Sequence, residues 1–227
     1  MDNTKLDFEN RKLEIENYFK FLLIFDDDNT VIQYKKDSEV VVEKIQPQFQ
    51  ITLIANAFLI LYNLIEATVR NSIIEIYTKV EDDELSFDKL SHNLQKIWIK
   101  QTTNKLKENH FKHETLRDYV LSLAKNILQK ETIKLVKDKM DFSGNLDADE
   151  IRKLADKIGF EKAVNGRNLV KIKDKRNRLA HGEQTFYDVG KDFSVGDLND
   201  FKNETFAYLS SIMNNIEKFI IDKNYTK

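Results

Sequence analysis

The stretch Lys171 to Phe186, KIKDKRNRLAHGEQTF, gathers the residue types that can act on a phosphate. Five of the eight residues from Lys171 to Arg178 are basic (Lys171, Lys173, Lys175, Arg176, Arg178), and His181, one of only four histidines, stands directly before Gly182. Imidazole changes charge near neutral pH, so it can give or take a proton; guanidinium stays charged and can grip two oxygens of a phosphate. The same residues also have an ordinary explanation. Cations are favoured in a last helical turn because unpaired carbonyls leave negative charge there. On spacing alone, Lys175, Arg178 and His181 need be nothing more than that. Arg176 and His181 are five apart, about 140° around a helix axis, and do not stack on one face. Asn177 and His181, four apart, do, and Arg178 shares the face of His181 better than Arg176 does. A long guanidinium at 176 can still swing beside an imidazole at a frayed helix end, which leaves a joint site of Arg176, Asn177 and His181 geometrically open.

A second polar feature lies upstream. In AFLILYNLIEATVRNSII the residues Asn56, Asn63, Glu66 and Arg70 fall along one side of an otherwise apolar helix. They can be an i,i+4 Glu66–Arg70 pair on a partly exposed edge, or a stripe that faces the basic helix and orients its groups. Between Lys162 and Arg178 the bases Lys162, Arg167, Lys171, Lys173, Lys175, Arg176 and Arg178 face a single acid, Asp174. Phosphate binding there should weaken with salt. HFKHE places His110 and His113 three apart beside Glu114, a spacing two metal ligands can use, although exposed surface histidines explain it as well. No phosphate-cradling glycine loop, dinucleotide fingerprint or nucleophile elbow is present, and no cofactor or metal is expected.

The elements that must position these residues read as helices. Proline occurs once, at Pro47, and all six glycines fall between Gly144 and Gly196, so most of the chain lacks helix breakers. Apolar residues recur with helical period in Ile15, Phe19, Leu22; in Ile54, Phe58, Leu61, Ile65; in Phe87, Leu90, Leu94, Ile97; in Leu116, Val120, Leu123, Ile127; and in Leu198, Phe201, Leu209, Ile212, Ile216, Phe219. The fold class is all-α, with one exception near residues 30–45, where β-branched residues flank a polar KKDS and suit a small β-hairpin. Asp147, followed three residues on by Glu150, suits a capping box, and Gly159 should stop that helix. The next should begin near Gly166 or Arg167, bury Leu169, Ile172 and Leu179, and end at Gly182, so that the opening stretch forms its last two turns. No linker divides residues 1–227, which read as one domain.

The totals exclude some classes. With 41% apolar residues in 227 the chain can bury a core, and a net charge of -2 at 33% charged residues means that any nucleic-acid surface is a local patch. The absence of cysteine excludes disulfides and Cys-based zinc sites and favours a cytoplasmic home. The acidic, amphipathic start carries no signal-peptide pattern. Ile51 to Val69, the most apolar run, is interrupted by Asn56, Asn63 and Glu66 and suits a buried core helix better than a membrane span.

Taken together, RNRLAH resembles the Arg-x(4–6)-His motif of the HEPN superfamily, the higher-eukaryote and prokaryote nucleotide-binding helical domains. LYNLIEATVRNSI, GNLDADEIRKLADKIGF and RNRLAHGEQTFYDVG are similar, in that order, to a long helix with a buried Glu, a characteristic segment, and the motif with its following loop in a toxin-like bacterial HEPN branch. The likeness runs from about Asn56 to the C-terminus, with a gap near residues 75–140; residues 1–50 have no assigned match. The resemblance implies a HEPN-like helical bundle and a metal-independent endoribonuclease. It implies His181 as base or acid, Arg176 as the charge on the phosphate, Asn177 as a hydrogen-bonding partner of phosphate or His181, and Glu66 in support. Lys171, Lys173, Lys175 and Arg178 would bind RNA. Attack by a 2′-hydroxyl would leave DNA inert. It further implies a homodimer with a composite site, a toxin–antitoxin or phage-defence setting, and an inhibitory partner protein. Two other readings stand beside it: a non-catalytic HEPN-like module that binds RNA or protein, and an all-α regulatory dimer in which the motif only caps a helix.

Overall fold

A computed structural model describes residues 1–108, 113–137 and 145–227. Its elements in order are α1 (Asp2–Phe25), β1 (Val31–Lys36), β2 (Glu39–Lys44), α2 (Pro47–Asp82), α3 (His92–Glu108), α4 (His113–Leu128), α5 (Ala148–Ile158), α6 (Leu169–Ala180), α7 (Phe186–Gly190) and α8 (Val195–Ile221). The all-α expectation holds, and so does the hairpin, whose strands pair antiparallel from Val31↔Lys44 to Lys36↔Glu39. Asp37 and Ser38 turn between them with φ of 49° and 70°, the paired left-handed geometry that matches strand twist in a two-residue loop.

α2 is the axis of the molecule. Its 36 residues start with Pro47 in the first turn, where the missing N–H costs nothing. At ~1.5 Å per residue it is about 54 Å long. An 18-residue window of mean hydropathy 1.6 makes it long and apolar enough to cross a membrane by composition. In the fold that surface is met by α1, α6, α7 and α8. Ile54, Phe58, Leu61 and Ile65 are all buried, each worth roughly 1.5–3 kcal/mol relative to exposure. α1 runs antiparallel to α2, with Thr4 bonded to Glu75 and the Tyr18 hydroxyl to the Leu53 carbonyl. α8 runs alongside, from Phe201 near Phe58 to a Tyr225 hydroxyl bonded to Asp83 beyond its end.

Two local expectations need correction. Phe87 to Ile97 is not one helix: Phe87–Lys89 forms a 3-10 turn, Leu90 is extended, and α3 starts only at His92. Leu90 bridges to Thr226 and the Ser91 amide bonds the Tyr225 carbonyl, so partners far along the chain override the local period. The period of Leu116 to Ile127 does form a helix, α4, in which Leu123 and Ile127 pack on the core while Leu116 and Val120 stay exposed. α6 begins at Leu169, later than expected, because Gly166 holds φ +80° against the Tyr208 ring and cannot enter a right-handed helix. The basic stretch is therefore most of α6 and not its last two turns.

α7 is seated on α2 through Gly190. A Cβ at that position would lie 2.0 Å from the Ile51 carbonyl oxygen, a backbone atom with little room to yield. Gly190→Ala should cost ~2–3 kcal/mol through overpacking. At roughly 2–4 °C per kcal/mol for a chain of this size, thermal unfolding by circular dichroism should fall by about 5 °C or more. An unchanged melting temperature would mean that α7 does not dock on α2 in this way.

Candidate active site

α6 lies across the middle of α2 and is fixed at both ends. At its start Leu169 and Ile172 are buried, with Leu179 partly buried near its end, as expected. At its end His181 is the cap residue and Gly182 follows with φ +69°. The Gly182 amide bonds the Leu179 carbonyl, and the Glu183 and Gln184 amides both reach the Arg178 carbonyl. These bonds satisfy the Leu179 and Arg178 carbonyls of the last turn and fold the following loop back over it.

Arg176 is the most constrained of the basic side chains. Its guanidinium lies 4.4 Å from the centre of the Tyr62 ring, its Nη1 donates to Asn177 Oδ1 at 2.9 Å, and its Nη2 stands 3.9 Å from Glu66 Oε2. Glu66 also takes Arg70 at 3.5 Å through its other oxygen. Both readings of the α2 stripe thus hold at Glu66: it makes the i,i+4 pair and it faces the basic helix. Glu66 and Arg176 remain about a quarter exposed, at 25% and 28% of their side-chain surface. Asn177 Nδ2 donates in turn to Asn145 Oδ1 at 2.7 Å. His181 is joined to this cluster through its backbone amide, which bonds the Asn177 carbonyl at 2.9 Å. Its imidazole is exposed at the helix end.

The other candidates are placed differently. Arg178 points away, pairing with Asp174 at 3.0 Å on the exposed side of α6. Lys171 and Lys175 lie over aromatic rings, Lys171 over Phe201 at 5.4 Å and Lys175 over Phe193 at 5.6 Å. Lys173 donates to Asp147 Oδ2. Asn63 is not part of the cluster; it lines a groove with Arg11 and Tyr18 of α1. Side chains of His110, His113 and Glu114 lie outside the described residues. Among the described residues no group of three or more His, Asp or Glu could hold a metal.

Two residues that support the site carry no signal in the motif itself. Tyr62 is buried one turn before Glu66 on α2, and its hydroxyl accepts from the Leu146 amide at 3.0 Å. Burial pushes its pKa up, partly offset by that amide and by Arg176, so the ring stays a neutral phenol beneath the guanidinium. Asp147 caps α5 by accepting from the Glu150 amide at 2.9 Å. The reciprocal half of the expected capping box is absent, because Glu150 turns to Lys153 at 2.6 Å. Burial alone would raise the Asp147 pKa, but the Lys173 ammonium and the Glu150 amide outweigh it and hold the carboxyl below its usual range. Asp147 therefore stays ionised and ties α6 to the start of α5.

The arrangement offers an oriented guanidinium, a neighbouring amide and an exposed imidazole at one helix end. Such a set can hold a phosphate and exchange a proton beside it. A family model described as MAE_28990-like HEPN matches residues 2–225, which takes in the first fifty residues as well as the motif region. Comparisons with curated proteins and with solved structures found no match.

Proposed function

Because the chain belongs to the MAE_28990-like HEPN family, we propose that it is a metal-independent endoribonuclease whose site is built on Arg176, Asn177 and His181 with Glu66 behind them. The observation that carries this reading is the placement of Arg176. Of the two arginines near His181 it is the one stacked on Tyr62 and held by Glu66 and Asn177.

In the proposed reaction an RNA 2′-hydroxyl attacks the adjacent phosphorus. The bond from the 2′-oxygen to phosphorus forms as the bond to the 5′-oxygen breaks. An imidazole takes the 2′ proton, the guanidinium neutralises the phosphate oxygens as charge builds, and an acid protonates the departing 5′-oxygen. The products are a 2′,3′-cyclic phosphate and a 5′-hydroxyl. Base and acid are both needed, and each chain offers one histidine in the motif region, so two copies would face their α6 ends across a two-fold axis and share one cleft. A cytoplasmic toxin–antitoxin or phage-defence role, with a partner protein holding the activity in check, fits the likeness of the motif blocks to the toxin-like branch.

The test is to incubate purified protein with total RNA in the presence of EDTA and to map the ends. Cleavage that persists in chelator and leaves cyclic phosphates with 5′-hydroxyls is the expected outcome. Cleavage that stops with EDTA and returns with added metal would overturn the mechanism and return attention to His110 and His113. Specific RNA binding without any cleavage would favour a non-catalytic binding module.

A further inference from the structure

α1 is apolar on two opposite sides. Phe8, Ile15 and Leu22 are buried against the fold. Leu6, Leu13 and Ile24 lie on the far side, within about 20° of one another at roughly 100° per residue, and are 62%, 56% and 51% exposed. Asn3, Asn10 and Asn17 stand on that side too, all exposed. The outer face thus reads Asn3, Leu6, Asn10, Leu13, Asn17, Lys20, Ile24, in steps of three and four that repeat every seven residues. This is the spacing by which one helix packs along another, here over about 32 Å. α1 meets the fold through α2 and α8 on its inner side, and the outer face is left bare among the described residues.

The borders of that face are acidic. Asp7 and Glu14 run along one, Asp2, Glu9 and Glu16 along the other, before Phe21 and Leu23 take over in the last turns. The bases Lys5, Arg11 and Lys12 lie toward the fold and are held there. Lys5 reaches Glu217 at 2.6 Å, Arg11 donates to Asp7 at 2.8 Å, and Lys12 lies over the Phe206 ring and 3.5 Å from Glu9. With Asp7 and Glu9 set aside for those contacts, Asp2, Glu14 and Glu16 have no partner among the described residues, against one such base on the face, Lys20. On the Glu14 side a groove of about 270 Å³ opens between α1 and α2, where Ile15, Ile60 and Leu64 lie beside the exposed Glu14 and Asn63.

We propose that the outer face of α1 docks a helix of a partner protein, one that sets leucine-like residues against Leu6 and Leu13 and carries lysine or arginine along both borders. Charge decides the occupant. A second copy of α1 would set acid against acid in its first two heptads, whether the two helices ran parallel or antiparallel. RNA or an anionic membrane would meet the same carboxylates. A basic helix is steered in by them and given its specificity, while the apolar contacts supply the affinity. The asparagines fix the register. An amide in such a contact needs a polar group opposite, so the partner carries asparagine or lysine at those positions. Beside Glu14, a long basic side chain can lay its stem in the groove against Ile60 and present its charge to the carboxylate. The proposal draws on none of the candidate active-site residues and does not rest on the ribonuclease reading.

The experiment uses the full chain and a synthetic three-heptad peptide with Asn at the first position of each heptad, Leu at the fourth, and Lys at the fifth and seventh. A second peptide has Glu in place of those Lys. Binding is measured by fluorescence anisotropy at low and high salt. The basic peptide should bind, less tightly as salt rises, and the acidic one should not. Leu6→Ala with Leu13→Ala should weaken the basic peptide roughly 10–30-fold, the loss of two apolar anchors. Glu14→Gln with Glu16→Gln should weaken it about 2–5-fold and flatten the salt dependence. Asp192→Asn with Asp200→Asn, the same charge change at two exposed positions elsewhere, should do little. Both α1 variants should melt with the wild type by circular dichroism, since they change exposed helix positions to good helix formers; Leu13→Ala alone is the milder variant should the pair melt early. Failure of the basic peptide to bind at millimolar concentration would overturn the proposal, as would equal binding of the two peptides or an unchanged affinity in the leucine variant. A wild type that sediments as a larger species than the leucine variant would give the face to a second copy instead. Co-sedimentation of the wild type with phosphatidylserine vesicles, lost in the leucine variant, would give it to a membrane.

Discussion

His181→Ala should abolish RNA cleavage, a loss on the order of 10²–10⁴-fold or more for a proton-transfer group, while the protein melts where the wild type does. The reason for the second half is geometric. The imidazole is exposed, and the bond that His181 gives the helix end comes from its backbone amide, which alanine keeps. What alanine removes is at most a favourable interaction of a side chain with the helix end, worth ~0.3–1 kcal/mol even for a full cation, less than about 4 °C by calorimetry at this size. A variant that unfolds instead would return the residue to a capping role. Mixing separates a shared cleft from independent sites. When wild type and His181→Ala are combined in equal amounts and allowed to exchange, pairing leaves about a quarter of the activity if both imidazoles serve one cleft, and about a half if each site works alone. A result near one half would remove the composite site.

The two nearby arginines should part company. Arg176→Lys keeps a positive charge but loses the flat fork that lies on Tyr62 and reaches Asn177 and Glu66 together. Losing a fixed electrostatic donor costs roughly 10²–10³ in kcat, and lysine should recover little of it. Arg178→Ala should leave kcat in place and raise KM with a shallower salt dependence, because that side chain pairs with Asp174 away from the cluster. Steady-state kinetics on one RNA substrate at two salt concentrations decide the matter. Equal losses in kcat for both variants would mean that the site is not organised around Arg176.

How much of this could be read from the sequence depends on the range of the interaction. The periods of Ile54 to Ile65 and of Leu198 to Phe219 told where the core helices lie, since each stripe answers to one buried face. The hairpin was legible because KKDS supplies its own turn chemistry. Glu66 was marked by being a carboxylate on an oily helix, but spacing could not say that it meets Arg176, because that meeting depends on how α6 crosses α2. Tyr62 was missed for the same reason. In sequence it is one more aromatic on an apolar run, and only the crossing makes it the platform beneath a guanidinium. The basic run misled in a different way. Counting charge treated its lysines alike, yet Lys171 and Lys175 spread over Phe201 and Phe193 while Lys173 turns back to Asp147. Long alkyl stems let each ammonium choose a local partner that composition does not reveal.

The long apolar helix at the centre also sets a timetable. α2 is complete at Asp82, but α6, α7 and α8, which cover much of it, finish only at Ile221. At ~5–20 residues per second of synthesis, that interval is roughly 7–30 s. Until it ends the ribosome-bound chain carries an 18-residue window of mean hydropathy 1.6 without its full set of later partners. A growing chain in that condition is a substrate for holdases and for the machinery that sorts hydrophobic segments to membranes. For the first part of that interval Glu66 waits for Arg176, so the nascent chain has no assembled site until α6 has been made and packed.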